Sequence, residues 1–173
     1  MAIIKSINGK SPKLGEGCWL ADNAVVIGEV ELGANCTVWF GTVVRGDVHF
    51  IKVGDNTNIQ DNATIHCTYQ KAPTTIGSNV SIGHNAIVHG CTLEDNVLIG
   101  MGAIVMDHAI VKQGAIVAAG AVVLENTVIE ENCIYAGVPA RKVKEVDGGN
   151  LEMMERIAGN YVKYASWFKE DEE

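Results

Sequence analysis

An aliphatic residue recurs every six positions through most of this chain. In one register the blocks read LADNAV, VIGEVE, LGANCT and VWFGTV, then VGDNTN and IQDNAT, then IGSNVS and IGHNAI, then LEDNVL, IGMGAI, VMDHAI, VKQGAI, VAAGAV and VLENTV. The fourth position is Asn or Gly in most of them (Asn23, Asn35, Asn56, Asn62, Asn79, Asn85, Asn96, Gly102, Gly114, Gly120), and the fifth is usually small. Asn and Gly take a positive φ at least cost, so each block predicts a short strand followed by a sharp corner. This is the hexapeptide pattern of a parallel β-helix. Three blocks close one triangular coil, and successive coils stack at roughly 4.8 Å. A doubly wound α/β fold is excluded because no helical periodicity separates the strands.

The repeat has three irregularities between residues 44 and 93. Anchors fall at Val44, Val53, Ile59, Ile65, Ile76, Ile82, Val88 and Leu93, with three extra residues after Val44, five extra after Ile65 and one too few after Val88. The five extra residues predict a loop within CTYQKAP that bulges from an otherwise unbroken prism. The repeat domain spans residues 1–147. Beyond it Leu151, Met154, Ile157, Tyr161, Tyr164 and Phe168 recur at steps of three or four, the pattern of an amphipathic helix. Asn150 is the predicted N-cap. Residues 148–173 thus form a helix packed on the prism or on a neighbouring chain, ending in a solvated KEDEE tail.

Composition narrows the function. The 173 residues are 47% hydrophobic but only 6% aromatic, so the core is built from small aliphatics. Five cysteines at no CxxC spacing argue against both a disulfide framework and a cysteine zinc site, and most are expected as buried thiols. No secretion signal and no apolar run of membrane-spanning length is evident, so a cytoplasmic protein without a membrane partner is expected. A formal charge of -8 repels phosphate backbones, which excludes nucleic acid as the expected partner.

The chemistry concentrates in three histidines. Every third anchor shares a side of the prism, so Val44, Ile65 and Val88 stack, and Arg45, His66 and His89 follow them in one column. Adjacent coils place two imidazoles where they can share a metal ion at about 2.0 to 2.1 Å. His84, five residues before His89, falls on the preceding side with Gln60. A threefold assembly reconciles this spacing: the side carrying His84 packs against a neighbour's side carrying His66 and His89. Three neutral ligands leave one coordination position open, as in catalytic rather than structural zinc sites. His49 and His108 match no ligand position and are expected to be structural or solvated. Cys67 and Cys91, beside the histidines, are expected as buried thiols rather than ligands.

The stretches VVRGD (43–47), NIQDNATIH (58–66) and IGHNAIVHGC (82–91), set in hexapeptide repeats, resemble the γ-class carbonic anhydrase family, and the similarity continues through AGVPAR and the helix with NYV. The resemblance implies an all-β, left-handed parallel β-helix with a C-terminal helix, assembled as a homotrimer. It implies zinc, ferrous iron or cobalt at each subunit interface and reversible hydration of CO2 to bicarbonate. By the same resemblance His66 and His89 are ligands from one chain and His84 from the next. Gln60 and Asn58 match polar groups near the reacting water, Arg45 and Asp47 the motif behind intersubunit ion pairs, Asp61 a carboxylate supporting a ligand, and Tyr161 a helix tyrosine near the site.

The chain departs from the best-studied pattern of that family. No carboxylate lies between His66 and His84, where the prototype carries a glutamate proton shuttle, and Val48, His49 and Phe50 stand where an acidic residue follows RGD. The shorter bacterial branch has this character, and slow turnover is expected. Two other functions fit the same repeats: a coenzyme A acyltransferase or thioester hydrolase, and a noncatalytic assembly subunit.

Overall fold

The computed structural model describes residues 1–171. Its strands stack on three faces of a prism, and neighbouring strands within the prism run parallel. On the first face lie Ile3–Lys5, the near halves of Val25–Leu32 and Val43–Val53, then Thr64–His66, Ile87–His89, Ile104–Val105 and Val122–Val123. The second face holds Lys13–Leu14, the far halves of the same two long strands, then Thr74–Ile76, Thr92–Leu93, Ile110–Val111 and Val128–Ile129. Trp19–Leu20, Thr37–Val38, Asn58–Ile59, Ser81–Ile82, Leu98–Ile99, Ile116–Val117 and Cys133–Ala136 form the third face, closed by the antiparallel strand Arg141–Glu145.

The register places Val44 beside Ile65 and Ile65 beside Val88, as the six-residue repeat predicts. These side chains point inward, and with Val105 and Val123 they form a column with no exposed surface. Ile59, Ile82, Ile99 and Val117 do the same on the third face. The corners between the third and first faces are filled by Ala24, Ala63, Ala86, Ala103 and Ala121, all fully buried. The prism is narrow, so only small residues fit there.

The corner residues adopt positive φ as the fourth-position pattern requires, among them Asn62 at 59° and Asn85 at 58°. Asn23 is an exception; its side chain instead accepts a hydrogen bond from the Gly41 amide at 2.9 Å. His108 takes the fourth position of its block with a φ of 60° and is exposed. The three extra residues after Val44 lengthen Val43–Val53, which passes from the first face to the second: Val44 pairs with Ile65, while Val53 pairs with Ile76. The five extra residues form a loop pinched by a bridge between Thr68 and Ala72. The missing residue after Val88 leaves a tight corner at Gly90, φ 56°.

Helix α1 (Gly148–Asp171) packs on the third face, against the strands that begin at Thr37, Asn58 and Ser81. Its cap is Asp147 rather than Asn150. The Asp147 carboxylate accepts the Asn150 amide at 3.0 Å, and the Asn150 side chain accepts the Asp147 amide at 3.2 Å. Asn150 sits three residues inside, the reciprocal position of a capping box. Helical structure extends to Asp171, so the first residues of the KEDEE segment are helical; its last two lie outside the described residues. Met154 and Ala165 are buried, and Phe168 reaches Trp19, Trp39 and Phe40 in an aromatic cluster. Among the described residues no helix is long and apolar enough to cross a membrane.

Candidate metal centre

His66 and His89 end adjacent strands of the first face and pair directly in the parallel register. Their rings meet with His66 Nδ1 3.1 Å from His89 Nε2. Thr74 locks the two coils together: its buried hydroxyl donates to the His66 carbonyl at 2.5 Å and accepts the Gly90 amide at 3.0 Å. On its far side His66 places Nε2 3.0 Å from an Asp47 oxygen, and Arg45 donates to the other Asp47 oxygen at 2.5 Å. His89 Nδ1 lies 2.5 Å from Asp107. Burial alone would raise both carboxyls, but hydrogen bonds outweigh it. Those from His66 and Arg45 hold Asp47 below the ordinary carboxylate value, and those from Thr68 and His89 do the same for Asp107.

This arrangement decides which nitrogens are free. An ionised carboxylate only accepts, so the ring nitrogen facing it carries the proton and the opposite nitrogen of a neutral ring keeps its lone pair. When both rings are neutral, His66 Nδ1 and His89 Nε2 therefore present lone pairs to each other. The space between them suits a cation. Two nitrogens bound tetrahedrally to one ion at about 2.0 to 2.1 Å stand about 3.3 Å apart, close to the separation found here.

His84 lies on the third face, at the corner after Ser81–Ile82. Its Nδ1 is 2.9 Å from an Asp61 oxygen, and its Nε2 is 3.3 Å from the Tyr161 hydroxyl. Tyr161 reaches it from α1 while packing edge-on against Trp39. Burial first, then the charges of Asp61 and Tyr164, push the phenol up to about 12. It keeps its proton at neutral pH, and its hydroxyl occupies the Nε2 side of His84. On the same face Gln60 donates to Asn58 at 3.0 Å, and Asn58 to Ser81 at 2.8 Å; all three are buried.

One chain thus carries two separate histidine clusters. Arg45, Asp47, His66 and His89 come together at one, and Asp61, His84 and Tyr161 at the other, on the face that also holds Gln60 and Asn58. Arg45 reaches the histidines only through Asp47, and this ion pair lies within one chain. Among the described residues no three His, Cys, Asp or Glu side chains of a single chain are arranged to hold an ion. Asp107 escaped the sequence reading. Burial pushes the Cys67 thiol up to about 11 and Cys91 to about 12, so both remain protonated near neutral pH.

Comparison with known proteins agrees with this fold and its repeat. The family model described as bacterial transferase hexapeptide (six repeats) matches residues 11–46 and 90–125, and the hexapeptide repeat of succinyl-transferase matches 73–106. A hexapeptide transferase family protein from Anaplasma phagocytophilum superposes with a TM-score of 0.92 at 37% identity, over 96% of this chain and 98% of that one. A carbonic anhydrase of Geobacillus kaustophilus is 41% identical over 96% of this chain and 91% of its own length. The mitochondrial gamma carbonic anhydrase 2 of Arabidopsis thaliana is 38% identical over 94% of this chain, which spans 60% of that protein's length. The chain belongs to the γ-class carbonic anhydrase family.

Proposed function

We propose that this chain is a metal-dependent enzyme that reversibly hydrates CO2, with its ion held between subunits of a homotrimer by His66 and His89 of one chain and His84 of the next. The observation that carries this reading is common to all three histidines. Each has an aspartate on one ring nitrogen; on the other side Nδ1 of His66 faces Nε2 of His89, and Nε2 of His84 meets the Tyr161 hydroxyl, which must turn aside for that nitrogen to take an ion. Such carboxylate partners orient imidazole ligands and raise their basicity. A divalent ion held by three neutral nitrogens supplies a Lewis acid that lowers the pKa of water to about 7.

The chain's own groups supply the rest. Asp47, Asp61 and Asp107 fix the rings before the ion arrives. The Gln60 amide, held by Asn58, which is itself anchored on Ser81, orients the attacking water or CO2. Tyr161, protonated at neutral pH, offers a hydrogen bond at the His84 end. Phe40, Ile87 and Met101 are exposed apolar residues near the histidine corners, and a neighbouring subunit would cover them.

Acyl transfer is the reading suggested by the matching transferase families. A cavity of about 650 Å³ between α1 and the asparagine corners is lined by none of the histidines, so the histidine clusters would have no part in an acyl transfer there. Metal analysis of anaerobically purified trimer and a CO2-hydration assay test the proposal together. One zinc, iron or cobalt per chain with hydration above background is expected. A metal-free protein that transfers acyl groups from coenzyme A would refute it.

A further inference from the structure

The geometry points to Asp107 as the positioning residue of the His89 imidazole and, through Thr68, as the link between the inserted loop and the metal centre; this rests on the metal-binding reading above. Asp107 is mostly buried, with 17% of its side chain exposed. Both of its oxygens are used. Oδ1 meets His89 Nδ1 and Oδ2 accepts the Thr68 hydroxyl, each at 2.5 Å. Thr68 also opens the inserted loop, where its carbonyl accepts the amides of Lys71 and Ala72. One carboxylate therefore touches a ligand and the loop at the same time.

The corner before it is cut to fit. A Cβ at Gly90 would stand 2.4 Å from Asp107 Oδ1 and 2.8 Å from the Cβ of Ala72, in a backbone of positive φ. The missing residue after Val88 and the glycine together open the space through which Asp107 reaches His89. With Nδ1 committed to Asp107, His89 can offer only Nε2, aimed at His66 Nδ1. Without Asp107 the ring could flip or take the other tautomer, and the ion would lose a prearranged ligand.

The test is zinc affinity of the assembled protein, measured by competition with a chromophoric chelator, for the wild type, D107N, D107E and T68V. Asn matches Asp in size but lacks the charge, so D107N should fold and bind zinc 10- to 100-fold more weakly. Partial recovery in D107E is expected. T68V should weaken zinc less than D107N does. Wild-type affinity in D107N would overturn the positioning role, and wild-type affinity in T68V would remove the loop link. A wild-type protein that takes up no stoichiometric zinc, iron or cobalt would instead refute the metal reading itself, a separate result.

Discussion

At the residue scale the proposed site depends on which ring nitrogen each histidine turns away from its aspartate. His66, His84 and His89 were singled out in the sequence because three imidazoles in register with a repeat are a specific pattern. Asp47 and Asp61 were named only through family resemblance, and the structure sets them beside His66 and His84. Asp107 was not legible, because aspartate also stands third in the blocks containing Asp22, Asp55, Asp61 and Asp95. Only the stacking of coils distinguishes the one that faces His89. The histidines are peripheral to the core, so His89→Ala should abolish stoichiometric metal while circular dichroism still shows the β-helix; retention of one ion per chain would remove His89 from the ligand set. Gln60→Ala should keep the metal and lower hydration turnover by roughly 10- to 100-fold through lost orientation. Unchanged steady-state kinetics, measured where the chemical step limits the rate, would take Gln60 out of the mechanism.

The elements show why the pattern could be read so far. Corners such as Asn62 and Asn85 need positive φ, and columns such as Val44, Ile65 and Val88 need one size of side chain, so a six-residue period leaves little freedom. The cap of α1 was misread because Asp147 and Asn150 both fit a cap, and the choice depends on where the strand Arg141–Glu145 releases the chain. Ile65→Ala would open a cavity in a fully buried column and should destabilise the prism by about 2–5 kcal/mol, read by denaturant unfolding. Tyr161→Phe keeps the ring against Trp39 and removes the hydroxyl that stands at the His84 end of the proposed site. Its expected effect on hydration is a loss of about 2- to 10-fold, the weight of one neutral hydrogen bond. The loop offers no carboxylate to carry protons away. Imidazole-type buffer should therefore raise turnover more than in a relative that carries a shuttle, and turnover independent of buffer concentration would mean that another group moves the proton.

For the whole molecule, the repeat explains how one chain can carry two histidine clusters that do not meet. His84 and His89 are five residues apart because they belong to adjacent faces, and a cyclic heterologous interface brings unlike faces together. The sequence suggested this division through its spacing, and the two separate histidine clusters in one chain are consistent with it. The most direct measurement mixes two defective variants. His66→Ala chains retain His84, and His84→Ala chains retain His66 and His89, so either homotrimer lacks a ligand at every interface. Differently tagged chains, refolded together and purified through both tags, should recover stoichiometric metal and hydration activity that neither variant shows alone. Mixed trimers that assemble yet bind no metal would contradict the division of ligands between subunits.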